Sequence, residues 1–236
     1  MAWQILLVKI FFIALIGSLL CLDRILLQVM ISRPIIIAPL TGLVLGNVYV
    51  GLIIGAILEL FWIDRVPIGI YIPPNDSVAS VVAVSVASLI MHPKSDVQPD
   101  LIAMAVLAAI PFGILVKNID VRMMVTNNQL SDQAIEDAKK LDIRAIEKKT
   151  FLGVARSFAI YFFVILFAQA VLFASLGWVY WKLPESILGI LKMIYYFMPL
   201  LGIAVALNTI KFRGTIPLFC AIFLTIAVFL GFFYGL

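Results

Sequence analysis

Two interruptions of apolar sequence carry the groups that could do chemistry. Glu59 stands in "GAILELFWI" with apolar residues on both sides, and Asn75, Asp76 and Ser77 follow a pair of prolines in "IYIPPNDSVAS" at 70–80. A carboxylate at the centre of a bilayer costs about 2.5–3.5 kcal/mol on insertion scales, so it faces the protein interior or a watery cavity. Held there, Glu59 is a hydroxyl acceptor or a proton site; a structural link between helices is the plainer alternative. Pro73 and Pro74 donate no backbone hydrogen bond and disfavour helix in the residue before each. In lipid, broken backbone survives only where it is buried in protein or lines a cavity. Asp76 or Ser77 can also cap a helix starting there, which is compatible with binding.

The residue types indicate what such a site suits. Anions call for Arg, Lys or helix N-termini, whereas neutral polyols call for carboxylates and amides that bridge hydroxyls. Glu59, Asn75, Asp76, Asn47 and Asn208 are of the second kind, and residue type alone does not separate sugars from cations. Glu59, Asn75 and Asp76 are expected to converge on one polar cavity. Asp64 and Arg65 read as an interfacial charge pair. Enzyme signals are poor: His92 is the single histidine and lies in a proline-bounded turn, and there is no HExxH, GxSxG or glycine-rich phosphate loop. No catalytic residue, metal site or cofactor is expected. Cys21 and Cys220 lie within apolar runs and read as small buried hydrophobes.

The elements that must position these groups are set by composition. The 236 residues are 64% hydrophobic and 13% charged, with a mean hydropathy of +1.16. Soluble domains are about half apolar and a quarter charged, so this is a polytopic membrane protein. The net charge of +4 needs no nucleic acid, because basic residues collect in the cytoplasmic loops of membrane proteins.

A crossing takes roughly 20 apolar residues. Trp3 to Leu22 qualifies, and reads as a retained span because no basic stretch precedes it as in a signal peptide. Ile25 to Ile31 is too short to cross. Ile35 to Ile63 is a long run whose glycines allow close packing and whose Asn47 marks a break into two shorter segments; one long tilted helix is the alternative. Ser77 to Met91 and Leu101 to Val116 are short, either a hairpin that does not fully cross or two packed spans. Phe151 to Trp181, Ile187 to Leu207 and Ile216 to Gly235 are further spans. The polar stretch 117–150 is expected to be a basic cytoplasmic loop containing a helix over 131–149, capped by Ser131. That helix either lies solvated on the surface or docks a partner. "PLTGLVLGN" (39–47) and "PLLGIAVALN" (199–208) echo each other faintly, as an inverted repeat or chance would produce. The fold class expected is all-α: one membrane-embedded domain over 1–236, with broken or re-entrant helices and room for an inverted repeat.

The stretch 33–80, with its Arg-Pro, "GLVLGN", "GLIIGAILEL", an Ile-Gly ten residues past Glu59 and the Pro-Asn-Asp break before "VAS", resembles the enzyme IIC subunit of the mannose/fructose/sorbose family of the phosphoenolpyruvate-dependent phosphotransferase system. The later "GIAVALNTIKFRGTIPLFCAIFLTIAVF" is similar to the family's C-terminal part, so the resemblance covers nearly the whole chain. It implies a sugar-binding and translocating subunit in a bacterial inner membrane. Such a subunit pairs with a second membrane subunit, IID, and the pairs assemble as trimers. A hexose-type sugar would be phosphorylated at the cytoplasmic face by a phosphohistidine of a soluble IIB protein, which a IIA protein recharges. Glu59 and the Asn75 neighbourhood would fall in the sugar site, with Asn208 a further candidate. Asn75 stands where the family usually carries an aspartate, and Asp76 follows one place later. The competing reading is a membrane-embedded binding or regulatory subunit of another importer, without phosphotransfer.

Overall fold

The computed structural model describes residues 2–65, 71–91, 97–210 and 214–234, and every regular element among them is helical. In chain order these are α1 (Ala2–Cys21), α2 (Pro34–Leu45), α3 (Val48–Phe61), α4 (Asp76–Ile90), α5 (Pro99–Lys139), α6 (Ile143–Tyr180), α7 (Glu185–Ile210) and α8 (Thr215–Tyr234), with a 3-10 turn at Leu22–Arg24. The helices α1, α5, α6 and α7 are long and apolar enough to cross a membrane, and α2, α3, α4 and α8 are shorter apolar helices. The chain is a multi-pass, all-helical membrane protein. His92, Gly69 and residues 211–213 lie outside the described residues.

The core sits around α4, which packs against α1, α2, α3, α5 and α6. All of its residues except Asp76 and Leu89 are buried. Its sequence explains why: "DSVASVVAVSVASLI" is apolar or small on every face, as a fully enclosed helix must be. Two of its serines return their hydroxyls to their own helix, Ser80 to the Asp76 carbonyl at 2.7 Å and Ser85 to the Val82 carbonyl at 2.9 Å.

The run Ile35 to Ile63 is divided at Gly46 and Asn47 into the antiparallel pair α2 and α3. Gly46 ends α2 in the left-handed region, at φ 80°. With 12 and 14 residues the two helices are about 18 and 21 Å long, short of the roughly 30 Å hydrocarbon core. Their outer ends meet, since the Ile35 amide donates to Glu59 Oε2 at 3.3 Å. The pair therefore enters and leaves on one side as a re-entrant hairpin. Glycine permits the close approach: a Cβ on Gly51 would lie 2.4 Å from the Ala38 carbonyl oxygen, and one on Gly55 2.6 Å from that of Pro34.

The stretch 117–150 is not a loop. At 41 and 38 residues, α5 and α6 extend to about 61 and 57 Å, roughly twice the membrane core, and project together as a helical hairpin. The expected helix over 131–149 is broken instead at Leu141, whose φ is 57°. Ser131 lies inside α5, and the capping residue is Asp142, which accepts from the Ala145 amide at 3.0 Å. The reason is that 117–139 is rich in good helix formers and carries no Pro or Gly, so the apolar helix continues into water until a left-handed residue turns it. A Lys149–Asp137 ion pair and the Asn127 Nδ2 to Ser157 Oγ bond at 3.1 Å join the two arms.

At the opposite end the Tyr180 hydroxyl donates to Asp100 Oδ2 at 2.8 Å, pinning α6 to α5. Packing of α7 is against α3 and α5, while α8 touches only α7 among the described elements. The two echoing stretches take different local structures: Asn47 sits at a helix break, whereas residues 199–208 run within α7.

Candidate functional site

The site is built where two chain breaks meet, between α1 and α2 and before α4, on the side from which the α5–α6 hairpin projects. The segment 71–75 has no helical structure and runs to the start of α4. Its last residue is tied to α5 by the Asn75 amide, which donates to the Gly113 carbonyl at 2.9 Å. The absence of a side chain at Gly113 allows this, because a Cβ there would lie 3.0 Å from the Asn75 carbonyl oxygen. Asn75 Oδ1 caps α4 by accepting from the Val78 amide at 2.9 Å, and Asn75 Nδ2 donates to Asp120 Oδ2 of α5 at 2.8 Å.

Beside it, Asp76 forms an ion pair with Arg24, which follows α1. Arg24 Nη1 also reaches Ser77 Oγ at 3.3 Å. The Ser77 hydroxyl donates to the Ser32 carbonyl at 2.7 Å, joining the α4 start to the segment between α1 and α2. Asp23 shapes that segment: its carboxylate accepts from the amides of Val29 at 3.0 Å and Ser32 at 3.1 Å, and from the Ser32 hydroxyl at 3.1 Å. Gln28 and Met30 take positive φ, 54° and 68°, within this tight path. The next residue, Arg33, pairs with Glu59 at 2.6 Å.

Asn75 and Asp76 are thus adjacent at the break. Glu59 reaches the same neighbourhood through Arg33 and the 32–35 backbone, and its carboxylate is held by Arg33 and the Ile35 amide. Asn47 stands at the other end of α3 from Glu59, about 18 Å along the helix. Asn208 lies near the end of α7 and is exposed. The Asp64–Arg65 pair forms at 3.2 Å, and Arg65 Nη1 donates to the Tyr71 hydroxyl at 3.4 Å. Lys117 covers the Tyr71 ring at 5.0 Å from its centroid.

Sequence reasoning missed Arg24, Arg33 and Asp120 as members of this cluster. For Asp120 a signal existed. Gly113, Val116, Asp120 and Met123 recur at helical spacing and are all buried, so extending the α5 periodicity past Lys117 places Asp120 on the core face. No group of three or more His, Cys, Asp or Glu suited to a metal ion occurs among the described residues.

The cluster alternates acceptors with donors: Glu59 with Arg33, Asp76 with Arg24, Asp120 with Asn75. Both ion pairs are largely withdrawn from solvent, with at most 32% of any of their side chains exposed.

The family described as the PTS system sorbose-specific IIC component matches residues 2–233. Two proteins of Escherichia coli (strain K12) are similar to parts of the chain. One, provisionally named N-acetylgalactosamine permease IIC component 2, is 35% identical over 85 residues, which are 36% of this chain and 58% of that one. The other, N-acetylgalactosamine permease IIC component 1, is 29% identical over 136 residues, or 56% of this chain and 48% of that one. The chain thus spans about half the length of the curated relatives it matches. Two solved structures share the fold. A chain described as a membrane protein gives a TM-score of 0.70 at 20% identity, covering 94% of this chain and 86% of that one. A chain from the complex of the mannose transporter ManYZ with microcin E492 gives 0.57 at 21% identity, covering 95% and 86%.

Proposed function

The chain belongs to the sorbose-specific IIC component family of the phosphoenolpyruvate-dependent sugar phosphotransferase system, and on that premise we propose that it is the sugar-binding and translocating membrane subunit of such a system. The observation that carries the reading is the alternation of carboxylate, amide and guanidinium at a helix break inside a membrane protein. Sugar hydroxyls both donate and accept, so a ring hydroxyl fits between such partners, with carboxylates accepting and Arg24, Arg33 or Asn75 donating. Glu59, Asn75 and Asp76 are the proposed first ligands. Asn47 and Asn208 are assigned secondary roles along the path, since they stand apart from that cluster.

The partners follow from the same premise: a IID-like membrane subunit, a soluble IIB protein as phosphohistidine donor and a IIA protein that recharges it, with IIC–IID pairs assembled as trimers in a bacterial inner membrane. The projecting α5–α6 hairpin is assigned to the cytoplasm, where phosphoryl transfer would occur. The substrate class is a hexose-type sugar, and the relatives' names supply the probes.

The test is equilibrium binding of radiolabelled N-acetylgalactosamine, mannose and sorbose to the full chain, purified with the membrane subunit that accompanies it. Saturable binding of at least one, competed by the unlabelled sugar, is expected. No saturable binding of any of the three overturns the reading.

A further inference from the structure

Two cations converge on one exposed tyrosine at the mouth of the α4 break, and a single carboxylate pairs with either of them. Arg65 Nη1 donates to the Tyr71 hydroxyl at 3.4 Å, and the Lys117 ammonium lies over the Tyr71 ring, 5.0 Å from its centroid. Asp64 pairs with Arg65 at 3.2 Å. Lys117 has no ion pair among the described residues. Asp120, three residues further along α5, is turned to Asn75.

Like charges gathered on one side chain repel, and an anion seated among them removes the repulsion. The cluster has donors to offer such an anion. The Tyr71 hydroxyl accepts from Arg65, so its own proton is free to be donated. Arg65 meets Asp64 through Nε and Tyr71 through Nη1, which leaves Nη2, and Lys117 brings the donors of an ammonium. Access is open: Tyr71 is 39% exposed and the Arg65 side chain 51%. A phosphate group, rich in strong acceptor oxygens and doubly charged near neutral pH, suits guanidinium, ammonium and phenol together.

The cluster adjoins the proposed sugar ligands. Lys117 stands one turn, about 6 Å, along α5 from Gly113, whose carbonyl accepts from the Asn75 amide. Tyr71 opens the non-helical segment 71–75 that ends at Asn75. We infer that Arg65, Tyr71 and Lys117 bind the phosphate group of a phosphorylated sugar whose ring lies against Asn75 and Asp76. The inference rests on the sugar-binding reading above and adds to it a second form of substrate, held by a charge that the neutral sugar lacks.

The experiment uses the same purified complex, reconstituted in phosphatidylcholine nanodiscs, with the tightest binder of the three sugars as the radiolabelled probe. Displacement by the unlabelled sugar is compared with displacement by its phosphate ester at a primary hydroxyl. Both should displace the probe from the parent. Lys117→Met keeps the stem over the Tyr71 ring but removes the charge and its donors. In this variant the affinity for the ester should fall by about 10- to 100-fold relative to that for the sugar, the worth of hydrogen bonds to a charged group. If Lys117→Met does not elute as folded complex, Arg65→Gln is read by the same ratio. An unchanged ratio overturns the inference, and equal loss of both ligands would make the cluster a clamp on the 71–75 segment alone. An ester that fails to displace the probe from the parent also overturns it, with the sugar-binding reading intact. So does ester binding that is abolished in phosphatidylglycerol nanodiscs, because the three side chains then hold a lipid headgroup. A parent that binds none of the three sugars overturns the sugar-binding reading itself, and the inference with it.

Discussion

Glu59 finds its counter-charge within the chain, and this changes what its removal should do. The carboxylate satisfies both Arg33 and the second turn-forming amide of α2, so it is at once a ligand candidate and the clasp of the α2–α3 hairpin. Glu59→Gln keeps an acceptor for the Ile35 amide and frees Arg33. Sugar affinity should fall by about 1.5–3 kcal/mol, the usual worth of a hydrogen bond to a charged group, while the protein level stays near that of the parent. Saturation binding with a parallel immunoblot of membranes checks both. Unchanged affinity in folded protein would make Glu59 the clasp alone. Residue type in the sequence marked Glu59, Asn75 and Asp76 because each interrupts apolar sequence. It did not mark Arg24 or Arg33, because a basic residue at the end of an apolar run looks the same whether it faces water or a carboxylate 26 or 52 positions further on.

At the scale of the element, two sites decide whether the site's framework forms. The α2–α3 hairpin depends on backbone approach at Gly51, where a methyl group would meet the Ala38 carbonyl at 2.4 Å. Backbone cannot swing aside as a side chain can, so Gly51→Ala should destabilise the protein by about 1–3 kcal/mol, the usual cost of overpacking. A thermal melt of the detergent-solubilised protein, followed by loss of the monodisperse elution peak, reads this out; an unchanged midpoint would mean the hairpin packs less closely than described. The second site is the tip of the α5–α6 hairpin. Leu141 holds φ 57° and is 86% exposed, so its side chain gains little from packing while its backbone sits in a region that costs non-glycine residues roughly 1–2 kcal/mol. Glycine relieves that strain and β-branching aggravates it. The expected order of melting midpoints is Leu141→Gly at or above the parent, with Leu141→Val below it, and the reverse order would show that the turn is not held in this conformation.

For the whole molecule, the distribution of charge sets an orientation. Among the described residues, Arg24, Arg33, Arg65 and the basic residues of the α5–α6 hairpin lie at one end of the bundle. At the other end are Lys182, over the Trp178 ring at 3.7 Å, and Lys9 and Lys192, each about two turns inside its helix, within reach of the interface by snorkelling. Positive charge near span ends favours the cytoplasmic side. In a chain carrying Cys220→Ser, a Gln129→Cys substitution on the exposed surface of the hairpin should react with a membrane-impermeant maleimide in inside-out vesicles and stay unlabelled in right-side-out ones. Labelling from the outside would reverse the orientation and overturn the proposed placement of the hairpin in the cytoplasm.

The sequence by itself determined that this is an all-helical membrane protein, because apolar runs of spanning length admit no other backbone arrangement in lipid. It also determined the breaks at Asn47 and at Pro73–Asn75, since proline and glycine act locally on φ and on the hydrogen-bond ladder. It carried the family resemblance in the short motifs of 33–80. The path of 117–150 was less legible: local polarity suggested a loop, whereas helix propensity and packing between the two arms carried α5 and α6 on as a hairpin. Only the tertiary structure decided which charges meet. Arg24 is 52 residues from Asp76, and Asn75 is 45 from Asp120. Such pairings are set by how five helices enclose α4, and no periodicity within one segment encodes them.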